Sequence, residues 1–171
     1  MIPGYVPEPC RVYFMPYNNM LFSAEQGLVI PVNCVGVMGA GLALKFKHLY
    51  PEAFLTYKAQ CESGELALGR VTSTMLRLDG PRQSIAFFVP TKNHWSIPSS
   101  LDMIAISLEA LRSLLIDRAL VEGPLESIAI PKLGCGLGQL AWADVRQYLI
   151  TFISRLDSSI VRNIVIYGHG Q

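Results

Sequence analysis

The sequence predicts an α/β fold in which a mixed, about six-stranded sheet lies between two helical layers, and three observations carry that expectation. Of the 171 residues 51% are apolar and only 16% are charged, a composition suited to a sheet buried on both faces. Short β-rich runs alternate with helical periodicities from one end of the chain to the other. Two of the strand-to-helix junctions are clusters of glycine, Gly36 to Gly41 and Gly134 to Gly138.

Taken in order, Arg11 to Met15 is a short β-rich run. Leu28-Val29-Ile30-Pro31-Val32-Asn33 is apolar enough for a buried strand, although Pro31 predicts a bulge or an edge within it. After Gly41, the apolar residues Leu42, Phe46, Leu49 and Tyr50 recur at helical spacing as far as Pro51, which can open a second helix reaching Cys61. Val71 to Leu78 and Ser84 to Val89 read as antiparallel strands joined by the turn residues Asp79-Gly80-Pro81-Arg82. Leu101, Ile104, Leu108, Leu111 and Leu115 repeat at threes and fours, with Ser99 as the expected N-cap and Asp102 three residues on. Ser127 to Leu133 is a strand running into the second glycine cluster. Trp142, Val145, Leu149, Phe152 and Leu156 then share one helical face, and Asn163 to Tyr167 is the last strand.

Neither internal repeats nor a low-complexity linker divide the chain, so residues 1–171 are expected to form a single domain. A net charge of +1 gives no source for the counterion release that drives general nucleic-acid binding, so any such contact is local. Charged residues interrupt every apolar stretch before the roughly 20 residues that a membrane span needs. The start, Met1-Ile2-Pro3-Gly4-Tyr5, lacks the basic and apolar regions of a signal peptide, which predicts a cytoplasmic protein. Cys10, Cys34, Cys61 and Cys135 show no CxxC spacing, and with three histidines they form no metal-ligand pattern, so free thiols, no metal and no cofactor are expected.

Glycine lets backbone N–H groups approach an anion, and a following helix N-terminus adds a favourable dipole. Two such loops suit a pyrophosphate. Gly36-Val37-Met38-Gly39-Ala40-Gly41 has neither the spacing of the dinucleotide fingerprint nor the Gly-Lys-Ser/Thr ending of a P-loop. Asn33 through Lys47, Pro90-Thr91-Lys92-Asn93-His94-Trp95, and Ile130 through Gly138 followed by Trp142 together resemble a macrodomain, and the resemblance spans almost the whole chain. Within that superfamily the chain is most similar to the branch containing the DarG antitoxin, which removes ADP-ribose from DNA, and the human terminal ADP-ribose glycohydrolase.

The resemblance implies a three-layer α/β/α sandwich that binds ADP-ribose and hydrolyses it from a modified target, DNA before protein. It implies a monomer whose partner is a cognate ADP-ribosyltransferase toxin. The alternatives are a non-catalytic ADP-ribose reader and a phosphatase acting on the terminal-ribose phosphate. The phosphate loops map onto Gly36, Val37, Met38, Gly39, Ala40 and Gly41, and onto Gly134, Cys135, Gly136, Leu137 and Gly138. Asn33 maps beside the distal ribose, where it either bonds the ribose hydroxyls or satisfies the loop backbone. Asn19 stands where the family commonly has an adenine-binding aspartate, and Tyr167 offers adenine an aromatic face or simply packs in the core.

Lys92 matches the catalytic lysine of this branch, with Thr91 beside it. An amine there can attack the anomeric carbon, and an ammonium can stabilise the leaving group. His94 is either a general acid, a phosphate contact or a packed loop residue, while His48 and His169 read as structural or exposed. Cys135 reads as a small buried side chain rather than a nucleophile. Where the human branch member has an aspartate in the second loop, this chain has Gly138, which favours the DNA-directed chemistry.

Overall fold

Alternation within the buried strands sets the layering. The computed structural model describes residues 4, 6–16, 19–77 and 83–168. Its strands are β1 (Arg11–Met15), β2 (Gly27–Val32), β3 (Thr72–Leu76), β4 (Ser84–Pro90), β5 (Leu125–Ile130) and β6 (Val161–Tyr167). They form one six-stranded sheet in the order β1-β6-β5-β2-β4-β3. Every neighbouring pair is parallel except β3 and β4, which run antiparallel as expected. The turn Asp79 to Arg82 that was read between them lies outside the described residues, as does Leu78.

Side chains on successive strand positions point to opposite faces. Leu28, Ile30 and Val32 of β2, with Ala86 and Phe88 of β4, meet α1 (Gly41–Leu49) and α2 (Pro51–Glu62) through Phe46, Ala53 and Tyr57. Val29, Ile85, Phe87 and Val89 point the other way and meet α3 (Leu101–Glu122) and α4 (Trp142–Ser154) through Ile104, Leu108, Val145 and Leu149. The result is the α/β/α sandwich. Helix α1 stops at Leu49 and Pro51 opens α2, as the spacing predicts.

Two local expectations are corrected. The cap of α3 is Ser100, not Ser99: its side chain accepts from the Met103 N–H at 3.2 Å, whereas the Ser99 hydroxyl is buried against the second glycine loop. A bulge or edge at Pro31 was expected, yet β2 is a central strand. The reason the proline fits is that β2 pairs with β5 only at Gly27 and Leu28, while its pairing with β4 continues to Val32. Beyond Leu28 one side of β2 is in effect an edge, and a residue without an N–H costs little there. The divergence of β2 from β5 falls at the carboxyl ends of the central strands, the place where open α/β sheets bind ligands.

Candidate functional site

Because β1, β2, β4, β5 and β6 are mutually parallel through the sheet, the segments following them emerge at one end. That brings Asn33 to Ala40, Thr91 to Trp95 and Gly134 to Gly138 together: the Cys34 N–H bonds the Asn93 carbonyl, and the Lys92 Nζ reaches the Leu137 carbonyl. The first loop leads directly into α1, whose N-cap Ala40 makes no side-chain cap and whose first turn holds no acid. An uncapped helix start leaves its first backbone N–H groups without intrahelical partners, and such groups favour an anion.

The first loop is shaped from below by Asn33. Its buried amide oxygen accepts from the Val35 N–H at 3.1 Å and the Val37 N–H at 3.3 Å, and its NH₂ donates to the Val37 carbonyl at 2.7 Å. The fully buried Tyr57 of α2 places its hydroxyl 2.9 Å from both the Asn33 carbonyl and its amide oxygen, donating into that pair. Burial, reinforced by Cys61, pushes the Tyr57 phenol well above its ordinary range, so it stays a donor. Burial first and Cys61 second push the Cys34 thiol up to about 11. The Cys34 Sγ–H donates to the Lys92 carbonyl at 3.5 Å, and the Cys34 N–H to Asn93, which ties this loop to the segment after β4. Met38 anchors the loop in the core, while Val37 faces outward.

The glycines divide into two kinds according to what a side chain would meet. A Cβ on Gly138 would lie 2.3 Å from the Gly134 carbonyl oxygen and 2.5 Å from Ser99 Oγ, and one on Gly134 would lie 2.9 Å from Leu140. Gly36, at φ +76°, is closed in by Lys58 at 3.1 Å. These three are glycine for the fold. Gly136 has nothing within 4 Å and Gly39 only Val37 at 3.7 Å, so neither the backbone nor the packing requires glycine there. What the missing side chains leave at Gly39 and Gly136 is open access to the backbone, one position in each loop. Gly41, at φ +57°, faces Leu137 at 3.9 Å, which brings the two loops side by side.

Lys92 spans the gap. Its Nζ donates to the Leu137 carbonyl at 2.8 Å and lies 3.4 Å from the Trp95 carbonyl. Thr91, buried, bonds its N–H to the Val32 carbonyl at 2.9 Å and so fixes the start of this segment against β2. His94 Nδ1 accepts from the Ser96 N–H at 3.3 Å and lies 2.7 Å from Ser96 Oγ, and its ring sits 5.1 Å from that of Trp95, centroid to centroid.

Of the two residues expected beside adenine, Asn19 accepts from the Leu21 N–H at 3.3 Å through its amide oxygen and so caps the short helix Met20–Phe22. Tyr167 is buried among the core residues next to α1 and α2, and its hydroxyl donates to Glu25 at 3.0 Å. Cys135 donates to the Leu133 carbonyl at 3.4 Å; burial pushes its thiol up more than nearby Lys132 pulls it down. His48 is exposed, and His169 lies outside the described residues. Among the described residues no three His, Cys, Asp or Glu side chains converge as metal ligands, and no helix is long and apolar enough to cross a membrane. An apolar hollow of about 320 Å³ between β1 and α4, lined by Val12, Phe14, Trp142 and Ile150, lies apart from this chemistry.

The sequence does not single out Tyr57, and it offers Ser99 only as a helix cap. A tyrosine on the apolar face of α2 needs a buried partner for its hydroxyl, and that requirement was the available signal. Nothing in the sequence pointed to Ser99 as the residue packed beneath Gly138.

Three comparisons bear on this arrangement. The chain is 43% identical over 141 residues to a DNA ADP-ribosyl glycohydrolase of Mycobacterium tuberculosis, covering 81% of this chain but 38% of that protein. This chain thus spans about two fifths of the length of the curated relatives it first matches. The structure of the macrodomain of Mycobacterium tuberculosis DarG superposes with a TM-score of 0.79 at 34% identity, over 92% of this chain and 97% of that one. Thermosipho africanus DarTG in complex with ADP-ribose gives 0.78 at 27% identity, over 92% of this chain and 41% of that one. Since the Macro domain model also matches residues 29–149, a span that takes in both glycine loops and Lys92, the chain belongs to the Macro domain family.

Proposed function

We propose that this domain binds ADP-ribose across the two glycine loops and hydrolyses it from DNA, with Lys92 at the reacting centre. The observation that carries the reading is the position of the Lys92 Nζ, 2.8 Å from a carbonyl of the second loop while its own carbonyl accepts from Cys34 of the first. Gly39 and Gly136, open on either side, are where the pyrophosphate meets backbone N–H groups. The names of the Mycobacterium tuberculosis relative and of the ADP-ribose complex support the substrate.

Hydrolysis breaks the bond from the anomeric carbon of the distal ribose to its acceptor and adds water across it, hydroxyl to carbon and proton to the leaving group. Lys92 acts on that carbon or on the leaving group. Asn33, committed to the loop backbone, acts by holding the first loop in shape. Thr91, Cys135, Leu137, Gly134 and Gly138 shape the second half of the site, and Asn19 and Tyr167 border the adenine end. His94, with Nδ1 engaged by Ser96, keeps Nε2 as the edge that can donate to a phosphate. The domain works as a cytoplasmic monomer, opposite an ADP-ribosyltransferase that installs the mark.

ADP-ribose at a hundred times its Kd should stabilise the fold by about 2.7 kcal/mol, seen as a rise in melting temperature. Lys92→Ala should lower the single-turnover rate on ADP-ribosylated DNA at least roughly a hundredfold while changing ADP-ribose affinity little. A variant that strips ADP-ribose at the wild-type rate refutes the role of Lys92. A wild-type domain that binds ADP-ribose yet releases none from DNA or protein is a reader.

A further inference from the structure

Past Lys92, the exposed side chains of Trp95 and Ile97 have no part in ADP-ribose hydrolysis as derived above. Trp95 is 58% exposed and Ile97 49% exposed, beside the 65% exposed Leu137 of the second loop. One Nζ group, that of Lys92, lies within 3.4 Å of the Trp95 carbonyl and 2.8 Å of the Leu137 carbonyl, so the backbone that carries the exposed indole and the backbone that carries the exposed leucine meet at the same amine. An exposed indole carries a large apolar face and is therefore available for stacking.

This indole is also held in place. The Ile97 N–H bonds the His94 carbonyl at 3.1 Å, the Ser96 N–H bonds His94 Nδ1, and the imidazole lies against the indole at 34° between planes. A rigid aromatic face loses little entropy when a partner lands on it. With Nδ1 engaged by Ser96, Nε2 is the ring nitrogen left to meet a phosphate or a base edge. An aromatic face, a ring N–H and a lysine amine within one short segment are the chemistry of single-stranded nucleic-acid contact, where bases stack on aromatic side chains and the backbone meets donors. A carboxylate side chain on a modified protein would have no use for the indole face.

We propose that the His94–Trp95 pair is a stacking platform for a nucleobase adjoining the ADP-ribosylated nucleotide of single-stranded DNA. The proposal rests on the DNA-directed reading of the site and adds to it the element that tells a modified strand from free ADP-ribose. It explains how a domain with a net charge of +1 selects DNA without a general basic surface.

The test measures KM and kcat on an ADP-ribosylated single-stranded oligonucleotide, together with calorimetric Kd for ADP-ribose, in wild type, Trp95→Ala and Trp95→Phe. Trp95→Ala should raise KM at least roughly fivefold, the lower range for losing one base stack, with kcat and ADP-ribose Kd unchanged, and Trp95→Phe should restore much of the loss. Unchanged KM in Trp95→Ala overturns the platform, as does an ADP-ribose Kd that rises in parallel. A loss confined to an ADP-ribosylated protein substrate also overturns it.

A second arm does not depend on turnover. In a Trp142→Phe background, which leaves Trp95 as the sole tryptophan, an unmodified single-stranded oligonucleotide should quench its fluorescence saturably. That quench supports the platform even if the domain proves inactive on modified DNA, and its absence counts against the platform even if the domain is active.

Discussion

The two glycine loops reach similar openness by opposite means. The first is held by side chains: Asn33 distributes its amide over Val35 and Val37, and Tyr57 braces Asn33 from a helix 24 residues away. The second rests mainly on close backbone contact, with Gly134 and Gly138 so near that no Cβ fits on Gly138, and one side chain, Lys92, bonding its Leu137 carbonyl. A loop built on a hydrogen-bonded side chain can lose one bond and keep its course. A loop built on backbone contact has no such reserve.

The largest effect should therefore come from the second loop. Gly138→Ala places a methyl against a backbone carbonyl and should cost about 3 kcal/mol, the upper part of the overpacking range, lowering the melting temperature by roughly 6–12 °C and removing ADP-ribose binding. Retained stability and binding would show that the loop can remodel and would erase the contrast. Next come the open positions, where both loops should behave alike. Gly39→Val and Gly136→Val should each leave the melting temperature within about a degree of wild type while weakening ADP-ribose at least roughly a hundredfold, because the branched side chain fills the approach to the backbone N–H groups. A melting temperature that falls with affinity would return both positions to the class of Gly138. The smallest effect belongs to the brace of the first loop. Tyr57→Phe leaves the Asn33 amide oxygen bonded to two N–H groups and should cost about 1 kcal/mol, roughly 2–4 °C in melting temperature, with modest loss of affinity.

Much of the fold was legible because its signals are local. The apolar runs of β2 and β4, the antiparallel pairing with β3, Pro51 between two helices and the threes and fours of α3 all lie within one segment or between adjacent ones. What escaped depends on contacts across the chain. Pro31 signals an edge, and the edge exists, but only because β5 turns away from a strand that is otherwise central. Ser99 and Ser100 are indistinguishable as caps until Ser99 is seen packed under Gly138. The reach of Lys92 to Leu137 joins residues 45 apart, so sequence could nominate the lysine and not its partner. The glycine clusters announced two loops, yet only the space around each residue separates Gly138 from Gly136.

The short junction between β2 and β5 has a further consequence. Two ladder pairs, with Gln26 bonded to Ser127 and Glu126 at their near end, stitch β1, β6 and β5 to β2, β4 and β3 across the sheet, and the first and second loops rise on opposite sides of that line. The sheet is thus two three-stranded leaves with a thin seam, overlaid on one face by α3 and α4. A pyrophosphate lying across both loops would act as a clasp on that seam, so that occupancy of the site and cohesion of the two leaves become one quantity, read equally by amide exchange along the β2 edge and by affinity.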